Sequence, residues 1–361
     1  MMILRQVESR PHLSAIKPRL HRILSRVVAI SMIMFAAVPV LSAPAAAQEV
    51  NIYSHRQQFL LQPFVDAFTA ETGIKTNVVY ASKGLAQRLL AEGQASPADV
   101  ILTVDIARLS EYAELDLLMP VSSPILEANI PPSLRATDRR WFALSKRARV
   151  VATSRDRVAE GAISNIEDLA DLKWAGRICS RPGSHVYNRS LMASVIAANG
   201  MAKATRWAEG LVANFARRPQ GNDRAQAKAI FQGQCDVAIM NHYYYGKMLV
   251  SDEAVQRDWA GAIRLVFTNQ DGRGNHVNIS GGGVAKFSPN RQEAIQFLEF
   301  LTTPKAQQLY GEVNFEYPVN PAVSPGGMLQ DWVDFKSDSL PIERLSELAP
   351  DAQKIIDRTR W

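Results

Sequence analysis

The chain has 361 residues, 21% of them charged, a net charge of +6 and only two cysteines. Six basic residues (Arg5, Arg10, Lys17, Arg19, Arg22 and Arg26) precede residue 48 against one acid, Glu8, so the remainder carries a net charge of about +1. That balance excludes an electrostatic nucleic-acid binder, and the length allows one large core or two moderate ones.

Residues 1–47 have the layout of a secretory signal peptide. A basic lead-in is followed by an apolar run from Val27 to Leu41, then by small residues in which Ala45 and Ala47 form an A-x-A site. The apolar run contains Pro39 and is shorter than the roughly 20 residues that a membrane span needs. Cleavage near Ala47–Gln48 and a periplasmic location are expected, with an uncleaved anchor as the alternative. Cys179 and Cys235 both lie beyond the leader, where an even pair in an oxidising compartment reads as a disulfide. Two buried free thiols are the other reading.

From Val50 the pattern alternates strand and helix. "EVNIYS" reads as a strand, and "PFVDAFTAETG" spaces Phe64 and Phe68 four apart and stops at Gly73, as an amphipathic helix does. "IKTNVVYA", "KGLAQRLLAEG" and "ADVILTV" continue as strand, helix and buried strand, an order that predicts a parallel sheet covered by helices. Ligands of such sheets bind beyond the carboxyl ends of the strands, here "YSHRQ", "ASKG" and "TVDI".

A second α/β set follows: "RARVVATS" and "GRICSR" as strands, "RSLMASVIAANG", "KATRWAEGLVANF" and "QAKAIFQG" as helices, and "CDVAIM" as a strand. "HVNISGGGVAKFS" reads as an extended crossover whose Gly281–Gly283 run predicts an unusual backbone. A helix interrupted near Pro304 and a helical C-terminal wrap complete the chain. The expected architecture is α/β with two lobes hinged about a cleft. Residues 48–148 form the first lobe, with a return segment at about 278–320; residues 149–277 form the second, and 321–361 the wrap.

Two strand-to-helix turns carry candidate chemistry. In "CSRPGSHVYNRSL" a helix is predicted to begin near Val186, with Ser184 and Asn188 around an N-terminus that favours an anion and Tyr187 in its first turn. A plain helix-capping role for Ser184 is the alternative. In "CDVAIMNHYYYGKMLV" the turn residues Asn241 and His242 precede Tyr243, Tyr244 and Tyr245, three of the nine tyrosines in the chain. Phenolate is a hard donor suited to a highly charged cation, yet a free phenol ionises only near pH ~10. Tyrosines converging from two loops therefore point to a trivalent metal, whereas an aromatic triplet alone also fits core packing.

Taken together, "NIYSHRQ", "ETGIKTNVVYA", "SPADVILTVDI", "LSKRARVVA", "HVYNRSL", "ARRPQGNDRAQAKAI", "NHYYYGK", "RGNHVNISGGGV" and "YPVNP" resemble the periplasmic ferric-iron-binding proteins that serve ABC importers. The resemblance spans the whole region after the leader and implies a type II periplasmic-binding-protein fold. It also implies Fe³⁺ held by Tyr187, Tyr243 and Tyr244, with Tyr245 in packing, and a monomer that delivers to permease subunits in the inner membrane. Many members carry His, or a His-Tyr pair, where this chain has Gln57 and Gln58. Water, carbonate or another small anion is therefore expected to complete the shell, with Arg56, Arg147, Ser184 and Asn241 as contacts of the anion or as partners of the ligands. Surface roles for the two arginines, and a ligand role for His55, stay open, while His242 and His276 read as turn residues. The same fold binding a polyamine, thiamine or a small organic anion is the alternative. An enzyme is not expected: the chain has no G-x-S-x-G elbow, no H-E-x-x-H and no P-loop.

Overall fold

The computed structural model describes residues Gln48–Trp361; the expected signal peptide and its cleavage site lie outside the described residues. β1 (Glu49–Ser54), α1 (Gln58–Thr72), β2 (Lys75–Tyr80), α2 (Leu85–Glu92) and β3 (Val100–Thr103) form the opening units, with β1 parallel to both β2 and β3. Phe64 and Phe68 of α1 are fully buried, and Phe68 meets Phe297 edge-on at 5.0 Å. Gly73 ends α1 at φ 73°, where its N–H bonds the Thr69 carbonyl and a side chain would be strained. α3 (Ile106–Glu114), β4 (Leu118–Met119) and α4 (Pro124–Asn129) lead into the long strand β5 (Phe142–Ser154).

The second half holds β6 (Ile178–Cys179), α5 (Val186–Ala213), α6 (Asp223–Phe231), β7 (Val237–Asn241), α7 (His242–Leu249), α8 (Ala254–Gly261) and β8 (Ile263–Val266). β9 (Val277–Ala285) then returns to the first half, followed by α9 (Arg291–Leu301), α10 (Pro304–Glu312), α11 (Glu343–Glu347) and α12 (Ala349–Thr359). The main strand order is β2-β1-β3-β9-β5-β7-β6. Residues Phe142–Ala148 of β5 pair with β9, whereas Arg149–Ser154 pair with β7 and β8. β5 is thus the strand shared between the halves, and β9 brings the chain back to the first.

The two helices read after residue 188 stand as read: α5 is interrupted at Gly200, whose φ of 74° and ψ of 160° are not helical, so one helix ends there and a second begins. Two other expectations change in detail. The glycine run 281–283 has ordinary extended backbone; its requirement is space. A Cβ on Gly283 would lie 2.4 Å from the Arg140 carbonyl oxygen, and one on Gly282 would lie 2.7 Å from that of Ile101. Gly282→Ala should cost about 1–3 kcal/mol through overpacking, read as a lower denaturant midpoint at unchanged slope. Finally, the "GRICSR" strand shrinks to Ile178–Cys179, held to β7 by the Cys179–Cys235 disulfide with a Cα separation of 5.8 Å.

The C-terminal wrap braces the loop after β6. Trp361 donates from its indole N–H to Ser180 Oγ at 2.9 Å, and its carbonyl accepts from Gly183 N–H at 3.0 Å. Gly183 must be glycine, because a Cβ would fall 2.6 Å from the Trp361 ring. Among the described residues no helix is long and apolar enough to cross a membrane.

Candidate functional site

β7 and β6 run parallel side by side, so the chain leaves both at the same sheet edge. From β7 it enters α7 at once, placing Tyr243 and Tyr244 in the first helical turn; after β6 a short loop enters α5, placing Tyr187 in its first turn. The hydroxyls of Tyr187 and Tyr243 lie 3.2 Å apart, and the Tyr243 and Tyr244 rings pack at 4.4 Å. All three are buried, at 8%, 3% and 6% exposure, which is a costly place for phenols that find mainly one another. Tyr245 faces elsewhere: its hydroxyl accepts from Arg155 at 3.4 Å and its ring meets Trp332 at 5.4 Å. Burial, then the neighbouring tyrosines, holds the Tyr243 phenol well above its ordinary ionisation range; Tyr244 is raised by burial, Tyr187 and Asp223. Both helix N-termini offset this in part, since their dipoles favour negative charge.

A layer of guanidinium groups surrounds the Tyr187 ring, with Arg147, Arg149 and Arg181 at 5.2, 5.7 and 5.2 Å from its centroid. Asp223, fully buried, bridges Arg149 at 2.9 Å and Arg181 at 3.0 Å. Asn188 Oδ1 accepts from Arg149 at 2.6 Å and Asn241 Oδ1 at 2.9 Å, while the Asn241 N–H donates to Asp223 at 2.8 Å. Asn241 Nδ2 is buried with no partner and borders a cavity of about 10 Å³, lined also by Asp105, Arg147, Arg149, Tyr187, His276 and Asn278. That volume suits about one water or a similarly small group.

The remaining sequence candidates are placed as follows. Arg147 donates to Ser280 Oγ at 3.0 Å and pairs with Asp105 at 3.3 Å. Arg56 pairs with buried Glu316 at 3.1 Å, and Glu316 also accepts from the Ser145 hydroxyl. Ser184 is exposed, and His185 rather than Ser184 caps α5, its Nδ1 accepting from the Tyr187 N–H at 3.3 Å. Gln57 and Gln58 are exposed, and Gln57 makes no side-chain cap to α1. His55 engages the Ala81 carbonyl and the Tyr112 hydroxyl, each at 2.8 Å, and burial with Arg108 lowers its pKa to about 4. His242 stacks on Tyr317 at 4.7 Å, and burial lowers its pKa to about 4. His276 is likewise lowered to about 3, by burial and then by Arg273, Arg149 and Arg147.

Sequence reasoning missed Asp223, Arg149, Arg181, His185 and a coupling through Asp105. Asp105 caps α3, accepts from the Ser190 hydroxyl of α5 at 2.8 Å, and meets Arg147 on β5 and Asn278 on β9. It therefore links the first half to the helix that carries Tyr187. One signal was available: Arg147 and Arg149 are two apart in a strand, with Ala148 between them and Val150 and Val151 after, so both project from one face.

The two-half sheet, the crossover strands and the enclosed polar site define a two-lobe receptor of the type II solute-binding fold, with its cleft hinged between the lobes. The chain belongs to the bacterial extracellular solute-binding protein family, whose model matches residues 53–308. Iron uptake protein A1 of Synechocystis sp. is 42% identical over 324 residues, covering 90% of each chain. Apo ferric ion-binding protein A of Pasteurella haemolytica superposes with a TM-score of 0.83 at 45% identity, covering 87% of this chain and 98% of that one. A Trichodesmium protein solved with iron and citrate ligands gives 0.81 at 43% identity, covering 87% and 99%. These relatives are named as binding and uptake proteins, not enzymes.

Proposed function

We propose that this chain is an extracytoplasmic receptor that binds ferric iron in its cleft through the phenolates of Tyr187, Tyr243 and Tyr244 and delivers it to an ABC importer. The observation that carries this reading is the 3.2 Å approach of two buried tyrosine hydroxyls from separate helix N-termini, with a third tyrosine packed beside them. Adjacent oxygens around an octahedral cation lie roughly 2.9 Å apart at bond lengths near 2.05 Å, so little movement is needed to share an ion. Among the described residues no group of three or more His, Cys, Asp or Glu side chains is placed to hold a metal, which leaves tyrosine as the donor class. The names of the relatives agree with this cargo. Asn241 Nδ2 and Arg147, both at the small cavity, are the proposed contacts of a carbonate-sized anion that fills positions no protein donor reaches, for which a space that now suits about one water has to widen.

Removal of the leader near Ala47–Gln48 and action as a monomer in the periplasm, handing iron to inner-membrane permease subunits, complete the reading. The lobes divide between Ala148 and Arg149, where the partner of β5 changes from β9 to β7, and β9 carries the chain back near residue 278. Residues 321–361 then form the wrap. A polyamine would require carboxylates where this site presents arginines. Titrating ferric nitrilotriacetate into apoprotein should produce a visible tyrosinate-to-iron charge-transfer band at one iron per chain, while spermidine or thiamine should give no heat of binding. A colourless protein that takes up no iron would overturn the proposal.

A further inference from the structure

Arg56 and Arg147 each pair with a carboxylate inside the protein, Glu316 and Asp105, while Arg149 and Arg181 share a third, Asp223. Two cations with no such partner lie elsewhere. Arg224 on α6 and Lys247 on α7 flank Phe59, at the start of α1 in the first half. Arg224 Cζ stands 5.7 Å from the Phe59 ring centroid and 5.6 Å from that of Tyr244. Lys247 Nζ stands 5.5 Å from Phe59 and 6.0 Å from Phe315. Neither cation has a carboxylate partner among the described residues, and Arg224 Nε is buried with no hydrogen-bond acceptor. Burial lowers the Lys247 pKa, and Arg224 and Arg56 add to this; Glu316 opposes it, but that carboxylate is committed to Arg56 and Ser145.

Two like charges without counter-ions, half-buried around an aromatic ring, repel each other and lose hydration. Phe59 is 44% exposed although it bridges both halves, and Gln57 and Gln58 beside it are exposed as well. The cluster is therefore reached from solvent at Phe59 and adjoins the buried Tyr244 ring through Arg224. An anion seated there would supply the missing acceptors beside Tyr244.

Building on the ferric reading above, we propose that Arg224, Lys247 and Phe59 form a lip that receives the carboxylates of a polycarboxylate, as the chelate that brings the iron or as the free acid. Arg224 offers a planar fork to a carboxylate, Lys247 a second point charge, and Phe59 covers them from the opposite half. The lip adds two cations without carboxylate partners to inner arginines already committed to Glu316, Asp105 and Asp223, and so draws in an anionic complex.

The test follows the growth of the charge-transfer band by stopped flow. Ferric citrate, which is anionic and keeps uncoordinated carboxylates for the lip, is compared with ferric nitrilotriacetate, which is nearly neutral and has all three carboxylates bound to the iron. For the double variant Arg224→Gln, Lys247→Met the loading rate from ferric citrate should fall about tenfold, within the range of electrostatic steering, and lose its salt dependence. The rate from ferric nitrilotriacetate should change less than about twofold, and the final band should be unchanged. Arg224→Lys should retain most of the citrate rate, because the charge is kept. Calorimetry with citrate alone separates the two sources: heat lost in the double variant assigns the lip to the free acid, and no heat in the parent assigns it to the chelate. Equal slowing with both donors, or no slowing with either, overturns the lip. Absence of the band in the parent protein instead overturns the ferric reading.

Discussion

Tyr243→Phe will lower ferric affinity by more than about 100-fold and weaken the visible band in proportion. Outer partners of metal ligands are typically worth about 10–100-fold, and a lost ligand must exceed that. The replacement removes one oxygen from a buried group and keeps the ring against Tyr244, so the fold has little reason to change. Tyr245→Phe is the control. Its hydroxyl is turned to Arg155 and its ring to Trp332, and the affinity should hold within about twofold. The same geometry fixes the pH response. Burial and mutual repulsion raise the Tyr243 and Tyr244 phenols, so the apoprotein holds them protonated and each ligating phenol releases its proton when iron enters. Affinity must therefore fall as pH falls. Competition titrations against a chelator at several pH values measure both effects. Tyr243→Phe binding as tightly as the parent, or affinity indifferent to pH, would remove Tyr243 from the site.

The alternation of "NIYS", "NVVY" and "VILT" with amphipathic helices made the first sheet legible, because the inner strands β1 and β3 are largely buried and leave near-continuous apolar runs, while the edge strand β2 is only half-buried. The glycine run was legible as a constraint but not in kind, since close approach of Arg140 and Ile101 carbonyls appears only once β3, β5 and β9 are aligned. The two tyrosine turns were visible as matching strand-to-helix junctions. Asp223 was not visible. "GNDRAQAK" has the composition of a solvated helix start, and only packing under β7 brings that carboxylate to zero exposure between two arginines. The cap of α5 shows a similar limit: Ser184 is the better capping residue by propensity, yet His185 occupies the position. Short-range preference names the residue type, and the loop clamped by Trp361 decides which residue arrives.

Asp223→Ala should be the most damaging single change near the site, costing about 3–5 kcal/mol of stability. Among the described residues the carboxylate is the only anion facing both Arg149 and Arg181 at hydrogen-bonding distance, and it also accepts the Asn241 N–H. Removing it strands two guanidinium groups, one of them fully enclosed, beside the Tyr187 ring. Asn would be little better, because a neutral amide cannot balance their charge. Burial by itself would raise the Asp223 pKa, but the two arginines outweigh it and hold the carboxylate below its usual range. Its stabilising contribution is thus complete above the unfolded carboxylate range near pH ~4 and is lost as pH falls through the lower folded value. In the variant that loss has already occurred, so the stability gap between parent and variant should narrow below pH ~4. Removing Asp351 from its exposed pair with Lys354 should by contrast cost less than about 1 kcal/mol. Urea midpoints measured from pH 3 to 7 distinguish the two cases. An Asp223→Ala protein as stable as the parent at neutral pH would mean that the arginines are solvated or paired otherwise, and the buried charge layer behind Tyr187 would lose its physical basis.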